Sequence, residues 1–511
     1  MKRSTHLLIA SVLAGCITSC SSGKRIAQHR IVTNPMNLNY RFQPKDESRR
    51  EAADPVLEYF KGYYYLFASK SGGYWRSEDL ADWEYVPCTT IPTLEDYAPT
   101  ILPIGDTLYF TTSSGKTQIF KNAHPEKDTW EAVDTKLTYR LQDTALYSDE
   151  DGKVYMYWGC SDKEPIMGVE VDPKDGFRAL GEAKALIAHH GDKYGWEVPG
   201  KNNEEPRQGW NEGPCMLKYE GRYYLQYAAP GTQYRIYGDG IYVGDTPLGP
   251  FEYVEDNPFS FKPGGFIGGS GHGHTFRDKY GNYWHVASMI ISVRHMFERR
   301  LGLFPVAVSS RNGIYAHTVW SDYPFYIPNR KVDFDKTDLS MGWNLLSYRK
   351  PVQASSSLAG YEPGNANDEQ IETWWAAQTG KKGEWLQVDL ETPMLVNSIH
   401  VNFADHHFKV FAPHPPVVYQ FFIEGSADGK KWMNLFDETE NGKDEPHRLF
   451  TLDKPVKVRY LRICNAKEMD GCFSLSGFRV FGKGEGAAPS KVTGFRAIRD
   501  SEDKRMYRFT W

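Results

Sequence analysis

The sequence predicts an all-β protein, a five-bladed β-propeller followed by a β-sandwich and a short two-strand stub. Three observations carry this. The 511 residues include 14% aromatics, 46 glycines and 30 prolines, a composition of many short strands and tight turns rather than long helices. One hairpin signature recurs five times between residues 40 and 330. After Pro328 it gives way to longer alternating runs. The chain is long enough for two or three domains with proper cores.

The first residues are not expected to join the fold. Lys2 and Arg3 precede an apolar run over residues 6–13 that is too short to span a bilayer and reads as a signal h-region. It ends in Leu13-Ala14-Gly15-Cys16, and Ile17-Thr18-Ser19-Cys20 follows. Both look like bacterial lipoprotein cleavage boxes. Residues 1–20 are therefore expected to be a lipoprotein signal peptide, with Cys16 or Cys20 lipidated. Ordinary secretion is the alternative. The expected location is the cell envelope, periplasm or outer-membrane surface, with membrane contact through the lipid anchor only, because multiple acyl chains anchor stably. A net charge of −5 and a pI near 6.3 give no basic footprint for nucleic acid. The remaining cysteines, Cys88, Cys160, Cys215, Cys464 and Cys472, match neither a disulfide framework nor a zinc spacing. They read as buried thiols, with a Cys464–Cys472 bridge as one alternative.

The propeller rests on the repeat. FKGYYYLFAS, IGDTLYFTTSS, EDGKVYMYWG, YEGRYYLQYA and KYGNYWHVAS each place a turn glycine (Gly62, Gly105, Gly152, Gly221, Gly281) before an aromatic-rich strand. Glycine suits the positive φ of such hairpin loops. A second polar turn and an outer strand recur downstream of each, so every repeat supplies about four strands, the size of a propeller blade. A large β-sandwich is the competing architecture, but both turns recur in the same order. Eight or nine residues before each glycine stand Asp54, Tyr97, Asp143, Glu212 and His272. This position begins the innermost strand of a blade, and innermost strands line the central channel. Asp54, Asp143, Glu212 and His272 should therefore converge at one end of the axis. Singly, each acid could be a turn cap. Four ionisable residues at equivalent positions of different repeats are not readily explained that way.

The segments AADPVLEYFKGYYYLFAS, QDTALYSDEDGKVYMYWG, NEGPCMLKYEGRYYLQYA and GSGHGHTFRDKYGNYWHV resemble glycoside hydrolase family 43 over residues 40–330. The resemblance implies hydrolysis with inversion at the anomeric carbon. It makes Asp54 the general base, Glu212 the general acid, and Asp143 the group that modulates the acid and orients substrate. His272 resembles the axial histidine that holds a central ion or water, which makes a structural Ca2+ in the channel a candidate, while no cofactor is required for the reaction. Arg299 resembles the arginine that follows it, with Arg300 the neighbouring register. The chemistry agrees independently. Inversion needs one carboxylate to deprotonate water and one carboxylic acid to protonate the leaving oxygen, roughly 6.5–9.5 Å apart. A second carboxylate beside the acid disfavours its ionisation. Tyr97, Trp75 and Trp210 are candidate sugar platforms, whereas Trp158 is expected in the blade core. Tyr97 stands where many relatives carry tryptophan, which bears on the sugar rather than the reaction. The aspartate at position 54 implies the pentose-acting branches.

Residues 347–482 resemble a discoidin, or coagulation factor 5/8 type C, domain, similar to carbohydrate-binding module family 32. Alternation in Gln387-Val388-Asp389-Leu390 and in residues 399–403 is strand-like. Asp368, Thr373 and Trp374 match its loop pattern, while Gly477 replaces the late glutamate that would ligate calcium. Tyr361, His406, His407 and Phe408 are candidate sugar contacts, and bracing the propeller is the other role. Residues 488–511 look like the first two strands of a fibronectin type III module, which cannot close a core.

The expected activity is exo-acting release of terminal sugars from plant-type oligo- or polysaccharides by an α-L-arabinofuranosidase. A β-xylosidase or galactan-acting enzyme is the alternative. A non-catalytic propeller lectin is the competing class, disfavoured by the presence of all three acids.

Overall fold

The computed structural model describes residues 30–44, 48–113, 117–309, 313–411, 416–484, 492–499 and 507–510. Cys16 and Cys20 lie outside the described residues.

Five antiparallel sheets form the blades. Their innermost strands are Ala53–Phe60, Tyr97–Ile104, Ala145–Ser148, Asn211–Tyr219 and Gly268–Arg277. All five turn glycines have positive φ, between 58° and 93°, which is why glycine recurs there. Blade four carries one addition. Cys160–Ser161, leaving blade three, pairs with the start of its innermost strand.

Strand alternation divides the side chains between the two flanking interfaces. In Tyr63–Ser69, Tyr64 and Leu66 pack toward blade five, while Tyr65 and Phe67 pack toward blade two. Five buried clusters result, one at each junction between neighbouring blades. Trp158 stacks on Tyr139 in the cluster between blades two and three, as expected of a core residue. Trp75 does not reach the channel. It is 1% exposed, lodged between blades five and one against Tyr85. It belongs to a third strand, displaced from the axis, so the expectation of a sugar platform there is wrong.

The ring is stapled from outside. Ile31–Val32 pairs with Phe325–Tyr326. The Asn34 side chain donates to Leu303 O and accepts from Leu303 N, both at 2.9 Å.

The second domain is one curled sheet whose strands Trp385–Phe403 and His447–Asn465 each run 19 residues. Register shifts at residues 389–394 and 396–398 bend it. Val388, Leu390, Ile399 and Val401 are fully buried in its core. Cys464 and Cys472 are both free thiols, so the bridge is not formed. Phe408 is 5% exposed and stacks on Phe42 of the N-terminal segment, so it is a packing residue rather than a sugar contact. Arg496–Arg499 and Tyr507–Thr510 pair only with each other among the described residues.

Three buried arginines seal the seam between the domains. Arg479 grips Glu369 through Nε and Nη2, both at 2.9 Å, and donates to Asp322 O. Its guanidinium lies 4.5 Å from the Phe266 ring. Arg50 pairs with Asp405 at 2.9 Å and Asp444 at 2.7 Å. Arg300 Nε donates to His447 Nε2 at 2.8 Å. Gly477 sits against Phe266. A Cβ there would lie 2.8 Å from Cζ of that ring, so a glutamate does not fit.

Candidate active site

One backbone feature repeats at the same end of every innermost strand. Asp54, Ala98, Asp143, Gly213 and His272 have φ of 50°, 48°, 49°, 59° and 46°. Left-handed conformations are uncommon away from glycine, and a fivefold ring of them marks a strained, over-determined end of the axis. Four are pinned by the preceding blade. The N–H of Asp54 donates to Ser288 Oγ at 2.8 Å, that of Ala98 to Ser69 Oγ at 2.8 Å, and that of Asp143 to Ser113 Oγ at 2.6 Å. The N–H groups of His272 and Gly273 donate to the Asp239 carboxylate at 2.8 and 2.9 Å. The equivalent positions in blades two and four are thus Ala98 and Gly213. Tyr97 and Glu212 each precede them by one residue.

The four ionisable residues do converge. His272 Nδ1 lies 3.4 Å from Asp54 Oδ1 and 3.6 Å from Asp143 Oδ2. Asp143 and Glu212 each present a carboxylate oxygen within 4.8 Å of the other and of Cys160 Sγ. Arg299 Nη1 donates to Asp54 Oδ1 at 3.0 Å and to Thr232 Oγ1 at 3.0 Å, and its Nη2 reaches Glu51 Oε1 at 3.0 Å. Arg300 faces the seam, which fixes the register. Ser69 Oγ donates to Asp54 Oδ2 at 2.6 Å. Glu212 accepts from Tyr237 OH at Oε1, 2.5 Å away, and from Cys160 Sγ at Oε2, 3.3 Å away.

Charges are ordered across this pocket. Burial works against the Asp54 carboxylate, but Arg299 and His272, with hydrogen bonds from Ser69 and Arg299, hold it below the usual range. Burial likewise disfavours the His272 imidazolium, and Asp54, Asp143 and Glu212 outweigh it and raise its pKa. Asp143 moves the other way. Burial pushes it up, His272 offsets this only in part, and Glu212 and Asp54 add to the rise. One acid is thus held charged beside a cation pair while another keeps a proton.

The donors do not suit a structural Ca2+, which takes six to eight oxygens. His272 presents a nitrogen paired with two carboxylates, and the three-residue cluster at this site includes a thiol.

At the rim, Tyr97 is half-buried. Its ring centroid lies 5.6 Å from that of Phe297, with Lys70 Nζ 4.3 Å from its ring. Trp210 is 39% exposed beside Gly231, one residue from the Thr232 that binds Arg299. In the second domain His406 is buried, leaving Tyr361, Trp374 and His407 at its surface.

Glu51, Tyr237, Cys160 and Asp239 were not foreseen. The three serines had a visible signal, since Ser69, Ser113 and Ser288 close YYYLFAS, TLYFTTS and YWHVAS at matching places in the repeat.

A cluster of opposed carboxylates with a histidine and an arginine at one end of a propeller axis is the arrangement of a propeller glycoside hydrolase. Residues 48–309, just over half of the chain, match the family described as glycosyl hydrolases family 43, and residues 351–475 match the F5/8 type C domain. The chain belongs to glycosyl hydrolases family 43. A curated relative, the Beta-D-galactofuranosidase xynD of Aspergillus niger, is 24% identical over an alignment of 234 residues that covers 39% of this chain and 62% of that protein. The chain therefore spans less than two thirds of that relative's length. Among solved structures, one described as a glycoside hydrolase is 20% identical, with a TM-score of 0.49, covering 84% of this chain and 97% of its own. Bacteroides ovatus Xyloglucan PUL GH43B is 17% identical, with a TM-score of 0.47, covering 88% and 95%.

Proposed function

We propose that this protein is an inverting, exo-acting glycoside hydrolase releasing terminal α-L-arabinofuranosyl residues from plant-type glycans. The observation that carries the reaction is the convergence of Asp54, Asp143 and Glu212 around His272 and Arg299 at one end of the axis, with burial and Glu212 biasing Asp143 toward its protonated form. Asp54 takes a proton from water as the water oxygen bonds to the anomeric carbon. Glu212 protonates the departing oxygen as that carbon–oxygen bond breaks. Inversion follows from attack on the face opposite the leaving group. His272 and Arg299 keep Asp54 ionised, and Asp143 supplies a protonated neighbour to the acid.

The furanoside reading draws on stereochemistry. α-L-Arabinofuranose has the ring configuration of β-D-galactofuranose without its terminal hydroxymethyl carbon, and the curated relative is named for the latter sugar. A β-D-galactofuranoside is therefore the second reading, ahead of a β-xyloside. Lipidation at Cys16 or Cys20, and location in the cell envelope, belong to the same proposal on the strength of the leader sequence.

Assay against p-nitrophenyl α-L-arabinofuranoside, β-D-galactofuranoside and β-D-xyloside tests it, with the anomer of the released sugar read by NMR. The expected result is highest kcat/KM on the arabinofuranoside with an inverted first product. Glu212→Gln should lower kcat by about 10²–10⁴-fold on substrates with poor leaving groups. Equal behaviour of wild type and variant on every glycoside would instead support a lectin.

A further inference from the structure

Glu212 is held by two side chains that the reaction scheme does not use. We propose that Tyr237 and Cys160 are positioning residues that fix which oxygen of Glu212 carries the transferable proton. The proposal rests on the reading of Glu212 as general acid.

Tyr237 is fully buried, and its OH points at Oε1 from 2.5 Å. Burial, reinforced by Glu212, drives its ionisation far out of reach, so the phenol remains a donor. Oε1 is therefore an acceptor in both states of the carboxyl group, and the ionisable proton belongs on Oε2. The fit is built in. Tyr237 packs on Gly271 of blade five, where a Cβ would lie 2.7 Å from its ring. Ser270 N–H donates to Tyr237 O at 2.9 Å.

Cys160 controls the other oxygen. It stands directly opposite Glu212 in the antiparallel ladder formed when Cys160–Ser161 crosses onto blade four. Opposite residues in such a ladder present their side chains to the same face within contact range. Its Sγ lies 3.3 Å from Oε2 and also faces Asp143. A thiol is a weak donor. It fills the space beside Oε2 without stabilising a carboxylate there as a hydroxyl would. Three blades carry serine at this point of the strand, whereas blade four carries Ala228-Ala229 and blade three carries Gly159-Cys160, which falls beside the acid.

In turnover the Oε2 proton moves to the leaving oxygen, whose bond to the anomeric carbon breaks. Water supplies the new bond and gives its proton to Asp54. Glu212 then regains a proton from solvent and Asp54 loses one, so no other reactant is required.

The test uses the full chain and the sugar selected by the glycoside panel, carried on two leaving groups, 2,4-dinitrophenol, which departs unaided, and methanol, which needs protonation. Tyr237→Phe is expected to lose at least about tenfold more kcat/KM on the methyl glycoside than on the dinitrophenyl glycoside, a lost charge-assisted hydrogen bond being worth that much. Cys160→Ser is expected to move the alkaline limb of kcat/KM to lower pH, because a hydroxyl favours the carboxylate. Equal losses on both leaving groups for Tyr237→Phe, with an unmoved alkaline limb for Cys160→Ser, would overturn the proposal. If Tyr237→Phe melts early or fails to fold, the Cys160→Ser limb decides alone. Glu212→Gln, run in parallel, separates the two levels. Absence of leaving-group dependence there removes the general-acid reading itself, whereas its presence there and absence in Tyr237→Phe removes only this inference.

Discussion

The axial mouth and the seam between the domains both bury charge, but they balance it differently. At the seam, Arg479 meets Glu369 one to one through two parallel hydrogen bonds and turns Nη1 to the Asp322 carbonyl and His400 Nδ1. At the mouth, Glu51, Asp54, Asp143 and Glu212 crowd around Arg49, Arg299 and His272. The first arrangement closes on itself and can only hold parts together. The second has more carboxylates than cations, which biases Asp143 toward its protonated form beside Glu212. Matched charge makes a joint, and mismatched charge makes a site.

The contrast breaks if seam residues govern turnover. Arg479→Ala strands Glu369 and opens a cavity against Phe266, so it should cost about 3–5 kcal/mol of stability. Arg479→Met, which refills the volume, should cost less but still leave Glu369 unpaired. Urea unfolding measures both, and kcat of the folded fraction should equal wild type for each. A large fall in kcat at unchanged stability would place the seam within the catalytic machinery.

Asp143→Asn sharpens the contrast from the other side. An unfolded aspartate ionises near pH 3.9, whereas folded Asp143 keeps its proton to higher pH. Above about pH 4 the native state therefore binds the extra proton, and stability falls as pH rises until the folded group also ionises. The amide removes that loss. The variant should melt several degrees above wild type at pH 8 and show no such gain at pH 4, while kcat/KM falls by about 10²-fold. A gain equal at both pH values would show that its carboxyl carries no such shift. Asp54 follows the opposite sign. Its carboxyl is depressed, so its stabilising contribution is present above the unfolded pKa and is lost as acid protonates it.

The smallest effect concerns a place where joint and site meet. Arg294 pairs with Glu298 at 2.7 Å, donates to Ala404 O, and lies 5.4 Å from the Trp374 ring. Its loop also carries Phe297, which packs on Tyr97 at the rim. Trp374→Ala removes a cation–π contact of about 0.5–1 kcal/mol and should raise KM a few-fold with kcat unchanged. An unchanged KM in steady-state assays would confine the second domain to bracing.

The parts of this design legible in sequence were those tied to periodicity. The turn glycines located five strand starts, and thereby Asp54, Asp143 and His272, because a hairpin fixes how many residues separate its turn from its far end. Counting failed by one residue at Tyr97 and Glu212, since the hairpin loops closed by Ile104–Thr107 and Tyr219–Arg222 are shorter than those closed by Ser148–Val154 and Arg277–Tyr283, so the glycine does not stand at a fixed distance from the strand start. Trp75 misled because aromatic content says nothing about distance from the axis. Tyr237 and Cys160 were illegible for a different reason. They approach Glu212 from a loop and from a strand that changes blades, and neither position repeats.

The Phe266–Gly477 contact makes one position of each domain depend on the other. A propeller that presents a phenyl ring at its flank demands a neighbour with nothing but hydrogen at one position. A sandwich that restored a side chain there would be expelled from its berth. These two domains are therefore not interchangeable modules. Grafting either onto a foreign partner would leave a ring without its socket or a socket without its ring.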